Sequence, residues 1–139
     1  MTVKQWLSRA WWINAEIREL SVKEQEARDR LTKITQSYES DGAQMTRDPH
    51  KFDRLVEYQS LIEEKLAERA AVKTEIMGVI YKVKNTEWRL ILMKRYLDMK
   101  TWEKIEHEKN FSYTSVTRKH GYALMEVNKI ILREINNNK

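Results

Sequence analysis

Three histidines, at positions 50, 107 and 120, and 21 carboxylates are the side chains through which this chain could hold a metal or move a proton. Glu106-His107-Glu108 carries the first half of the helical pattern that binds zinc between two histidines and uses a glutamate as general base. The second histidine is needed at position 111, where there is Phe. No other histidine has a ligand at i+4 with a third partner in view. The chain has no Cys, so thiol nucleophiles, disulfides and thiolate metal sites are excluded, and a reducing interior such as a cytoplasm fits. It also lacks a Gly-rich phosphate loop and a G-x-S-x-G turn. The carboxylates are spread beside Lys and Arg, as on a solvated helix face. These residues predict a protein that is not an enzyme and carries no metal or cofactor.

The chemistry that remains is binding. In FSYTSVTRKHGY (111–122) short hydroxyl side chains precede a pair of cations, the combination a helix needs to approach base edges while holding phosphates. Tyr113, Thr114, Ser115, Thr117, Arg118 and Lys119 supply both kinds of group, with Thr114, Ser115, Thr117 and Arg118 nearest the bases. Lys100, Lys119 and Tyr122 would be positioned for the nucleic-acid backbone. A helix start adds free backbone N–H groups and partial positive charge. Charge placement agrees: residues 1–83 hold 14 Lys/Arg against 14 Asp/Glu, whereas residues 84–139 hold 12 against 7. The entire net charge of +5 therefore falls in the last two-fifths. The competing reading is a merely solvated polar face.

Helices must position these groups, because one Pro and three Gly punctuate 139 residues and a third of them are charged. Trp, Ala, Ile or Leu recur at alternating steps of four and three from Trp6 to Tyr38, broken only by Glu24, which predicts a long helix with one apolar seam. Asp41-Gly42 supplies a turn, and Asp48-Pro49 a cap and first helical position. A weaker seam follows at 52, 55, 59, 62, 66, 69, 73, 76, 80 and 83. Two helices of about 35 residues, roughly 50 Å each, read as an antiparallel hairpin over 1–83. Trp11, Trp12, Val56 and Leu61 lie off the seams, so a further surface is expected to cover them, a second chain of a homodimer or the C-terminal part. Trp6, Trp11 and Trp12 form the candidate partner or oligomer interface.

Beyond residue 84 the pattern shortens. Asn85 or Thr86 caps a helix with Trp88, Leu92, Tyr96 and Met99 on one face. Thr101 caps a second, TWEKIEHEK, with Trp102 and Ile105 as apolar contacts. Asn110 suits a left-handed turn, and Ser112 caps a third helix to about residue 134. That helix carries Val116, His120, Ala123, Val127 and Ile130 or Ile131 on one face, which gives His120 a core role. Three helices with a short turn before the last are the layout of a helix-turn-helix over 84–139.

The segment RYLDMKTWEKIEHEKNFSYTSVTRKHGYAL resembles the fourth-region helix-turn-helix of bacterial sigma factors. It is more closely similar to the sigma-like domain of small phage and prophage proteins grouped with late-gene transcription regulators. Arg95-Tyr96-Leu97 matches the end of that family's first helix, and Thr101, Trp102, Glu103 and Ile105 match the second. Phe111 and Ser112 match the turn. Val116, Arg118, Lys119, His120, Ala123 and Leu124 match the third helix. Glu106 stands where the family has Ala, Lys109 where it has Leu, and Asn110 where it has Gly. An unpaired carboxylate between packed helices is costly, so Glu106 should point outward or the helices should splay.

The resemblance implies an all-α, phage-encoded DNA-binding transcription regulator in the bacterial cytoplasm. Its partners would be double-stranded DNA and, through the hairpin, a second copy or host RNA polymerase. Two alternatives share the helical plan: an adaptor or inhibitor that binds a host nuclease or polymerase, and a DNA-packaging initiator subunit. The start of the chain is too charged for a signal peptide. The longest apolar patch, MGVIY (77–81), is too short for a membrane span.

Overall fold

A computed structural model describes residues 1–41, 50–109 and 113–138, apart from the side chains of Thr35, 37–41, Lys109, Tyr113 and Thr114. The expected turn at Asp41-Gly42, the Asp48-Pro49 cap, Asn110 and Ser112 therefore lie wholly or partly outside the described residues. All regular structure among the described residues is helical: α1 (Val3–Leu7), α2 (Arg9–Asp41), α3 (Asp53–Ile80), α4 (Thr86–Leu92), a π turn (Met93–Leu97), α5 (Trp102–Lys109) and α6 (Tyr113–Asn137). No described helix is long and apolar enough to cross a membrane.

The first long helix predicted from the heptads is divided at Ser8. Thr2 and Gln5 form a reciprocal capping box at the start of α1. The Ser8 hydroxyl donates to the Lys4 carbonyl at 2.6 Å, and the Ser8 carbonyl accepts from the Trp11 amide at 3.0 Å. The Ser8 amide also bonds the Lys4 carbonyl, at 2.9 Å, so the hydroxyl adds a second bond to that carbonyl at the division.

Two compact units divide the chain, one made of Met1–Trp12 with Arg69–Lys139 and the other of Ile13–Glu68. The first holds both chain ends. Its core joins Leu7 and Ala10 near the N-terminus, Ile76, Val79 and Ile80 at the end of α3, and Val83 beyond it. These meet Leu92, Tyr96 and Leu97 and the inner face of α6 (Ala123, Val127, Ile130). The sequence reading drew a boundary between residues 83 and 84, yet this core uses residues on both sides of it. Trp6 and Trp11 are half-buried against the same core, which gives both an intramolecular role, whereas Trp12 is 71% exposed.

In the Ile13–Glu68 unit, Ile13 and Ile17 are buried, Leu20, Ala27 and Leu31 are half-buried, and Ile34 is exposed. On α3 the sheltered positions are Leu55, Tyr58, Ile62 and Lys65, not the expected Leu55, Gln59, Ile62 and Leu66. Lys65 is half-buried, and its ammonium reaches Glu16 at 3.1 Å and Glu68 at 3.2 Å. Those carboxylates, Glu16 foremost, raise its pKa. Val56 and Leu61 stay exposed.

Candidate nucleic-acid interface

α4 begins where sequence predicts: the Asn85 side chain accepts from the Trp88 amide at 3.2 Å. At Met93 the chain widens into a π turn, with the Asp98 amide bonded to the Met93 carbonyl at 3.0 Å. The added width changes the register. Adjacent pairs Ile91-Leu92 and Tyr96-Leu97 are both buried, and Met99 leaves the helical face expected for it. Met99 instead takes φ = 58°, the left-handed region that costs an L-residue about 1–2 kcal/mol. Its side chain packs against the core, which holds it there. The chain turns at this point into α5, where the Thr101 hydroxyl accepts from the Lys104 amide at 3.3 Å.

The weak apolar face predicted for α5 is made good by polar and aromatic contacts. Ile105 is fully buried, and the Trp102 ring meets His120 edge-on at 4.5 Å. The Arg95 guanidinium lies 4.6 Å from the Trp102 ring and equally 4.6 Å from the Trp11 ring. Arg95 also donates to the Lys100 carbonyl at 3.0 Å, and its own carbonyl accepts from the Trp11 indole at 2.9 Å. Burial lowers the Arg95 pKa. Glu106 is half-buried. The carboxylate that ties α5 down is Glu108, which bonds Lys94 at 2.8 Å and Lys100 at 2.7 Å. Lys100 foremost, with Lys94, holds the Glu108 carboxyl down at about 2.

α6 separates two chemistries around its circumference. Its inner face presents Val116, His120, Ala123, Val127 and Ile130, all buried. His120 serves the core, as its place on the apolar face suggested: its Nε2 lies 2.7 Å from the Tyr96 hydroxyl. Desolvation, with Lys4 and Arg95 nearby, pushes His120 down to about 4, and burial pushes Tyr96 up to about 12. Both shifts favour a neutral pair at pH 7.

The outer face near the start of α6 carries Thr117, Arg118, Gly121 and Tyr122, all exposed. Arg118 forms no ion pair among the described residues. Ser115 is half-buried. Lys119 reaches Glu87 at 2.9 Å, and Tyr122 sits with its ring 5.9 Å from that of Trp88. Tyr113 and Thr114 start the helix, but their side chains lie outside the described residues. Thr117, Arg118 and Tyr122 thus share one open face, while Lys100 and Lys119 are engaged by carboxylates. Sequence reasoning missed Glu87 and Glu108 because their partners lie 32 and 14 or 8 residues away, beyond the i, i+4 range in which charge pairs are visible. Among the described residues no group of metal-ligating side chains could hold an ion. No known protein family, curated protein or solved structure matches this chain.

Proposed function

We propose that this protein is a phage-encoded, DNA-binding transcription regulator, in which α4 with its π turn, α5 and α6 act as a sigma-like helix-turn-helix and α2 with α3 forms an antiparallel hairpin. The observation that carries this reading is the division of α6. Its inner face is locked into the core, and its outer face offers Thr117, Arg118 and Tyr122 to a groove. A rigid helix with short polar groups and a cation near its N-terminus is suited to base edges and phosphates. Exposed Gly121 lets a phosphate approach the helix backbone, since a Cβ there would meet nothing within 4 Å. In the hairpin, Lys65 beside Glu16 supports the antiparallel pairing.

Selection of bound fragments from the parental phage genome, followed by gel shifts, tests the reading. Arg118→Ala should weaken specific binding by at least about 5-fold, since one good base contact is worth roughly 1–3 kcal/mol. Arg118→Ala/Lys119→Ala should also flatten the salt dependence, by roughly one unit of slope per lost phosphate contact. Affinity and slope unchanged in the double variant, with the helical content intact, would refute DNA binding through α6.

One observation favours a second reading, an adaptor that works by protein contact. Trp12 is 71% exposed although it adjoins a packed core, and exposed tryptophans are over-represented at interface hot spots. Recovery of a host protein after nuclease treatment, lost on Trp12→Ala, would support that reading over the first.

A further inference from the structure

Within the Ile13–Glu68 unit, two adjoining hollows open between α2 and α3. One, of about 290 Å³, is lined by Leu31, Ile34 and Leu55 together with Arg30, Lys51 and Arg54. The other, of about 340 Å³, shares Leu31, Lys51 and Leu55 and adds Phe52 and Arg28. The floor is apolar and open to solvent, with Ile34 40% and Phe52 52% exposed. Among the described residues the rim has one sign: four cations border the hollows and no carboxylate lines either of them. Arg28 is paired to Glu24, and His50, which also lines the first hollow, is bonded to Asp53 at 2.7 Å. Arg30 and Arg54 form no ion pair among the described residues.

Charge and shape together restrict the occupant. Each hollow lies at the low end of the volume of ligand pockets, enough for one or two large side chains. A purely anionic ligand gains nothing from Leu31, Ile34 and Leu55, and a purely apolar one gains nothing from the cations. A nucleic-acid strand would need aromatic platforms for its bases; among the described residues Phe52 is the one aromatic lining the hollows, and Lys51 already lies 5.0 Å from its ring centre. We infer that these hollows dock an acidic, amphipathic segment of a protein partner. Leucine- or phenylalanine-sized side chains fill the floor, and flanking Asp or Glu meet Arg30, Arg54 and Lys51. Such charge complementarity steers encounter and sets orientation, and the apolar contacts hold the complex. The inference is separate from the DNA reading, since none of these residues belongs to α6.

Random peptides of 15 residues displayed against the immobilised full chain test it without naming the partner in advance. The selected set should carry Asp or Glu around pairs of Leu, Ile, Phe or Trp spaced three or four residues apart. A synthetic consensus peptide should perturb the methyl resonances of Leu31, Ile34 and Leu55. It should bind at least tenfold more weakly to Arg30→Glu/Arg54→Glu and to Ile34→Gln, two variants confined to exposed positions. Three results would each overturn the inference: a selection without an acidic consensus, a consensus peptide that leaves those methyls unmoved in the parent protein, and the same methyls responding to DNA but not to peptide.

Discussion

Acidification should loosen α6 through His120 before it affects Glu108. The imidazole is 8% exposed, faces the Tyr96 hydroxyl and the Trp102 ring, and senses the positive charges of Lys4 and Arg95. Folding lowers its pKa from 6.5 to about 4. Between those values the unfolded chain binds a proton that the folded chain refuses, so stability is complete above pH 6.5 and falls as pH drops towards 4. At about 1.4 kcal/mol per pH unit, lowering pH from 7.5 to 5.0 should remove about 2 kcal/mol. That is a large share of the roughly 5–15 kcal/mol of a typical domain. Urea unfolding followed by far-UV circular dichroism at the two pH values measures it directly. His120→Gln keeps a hydrogen-bonding group beside Tyr96 but cannot titrate, so its midpoint should move much less over the same range. Equal pH dependence in parent and variant would refute the reasoning, as would an NMR titration placing His120 at 6 or above.

Four further outcomes are expected. Gly121→Ala should raise stability by about 0.5–1 kcal/mol, because the helix interior favours Ala and the new methyl meets open space; a lower melting temperature would contradict the geometry. If DNA lies against this face, the same variant binds it less well. Glu108→Gln should release Lys94 and Lys100; gel shifts at low salt should then show tighter DNA binding and a steeper salt slope, and an unchanged slope would mean that neither lysine reaches a phosphate. A fragment spanning 84–139 should lack cooperative unfolding, because it omits Leu7, Ala10, Ile76, Val79 and Ile80 from the core. In the full chain, Trp11→Ala should cost roughly 2–4 kcal/mol, since it leaves the Arg95 carbonyl and guanidinium without the indole; a midpoint within error of the parent would count against that packing.

The helices and the faces of α6 were legible in the sequence because both are local. Val116, His120, Ala123 and Val127 recur every three or four residues, and Asn85 and Thr101 announce helix starts by side-chain chemistry alone. Register was less legible. Gln59 fits the heptad by spacing and Leu66 by spacing and hydrophobicity, yet Tyr58 and Lys65 take the sheltered positions, and Lys65 finds carboxylates on both helices. The π turn erased the expectation for Met99 in a similar way: one extra residue per turn moves every later side chain around the axis, and no residue type in MKRYL signals it.

What the sequence could not reveal is the dependence of the seating of α5 and α6 on the chain's other end. Arg95 looks like a surface cation within a motif, but its guanidinium lies against Trp11 and Trp102, which are 84 residues before it and 7 after it. His120 looks titratable but is held neutral between Tyr96 and Trp102. Both contacts concern the seating of α5 and α6, and one of them requires Trp11 at the start of α2. A helix carrying Gly121 and several β-branched residues has modest intrinsic propensity. Its stability must therefore come from tertiary burial of its inner face. The polar face of α6 keeps its place only while Leu7, Ala10 and Trp11 keep the opposite side packed.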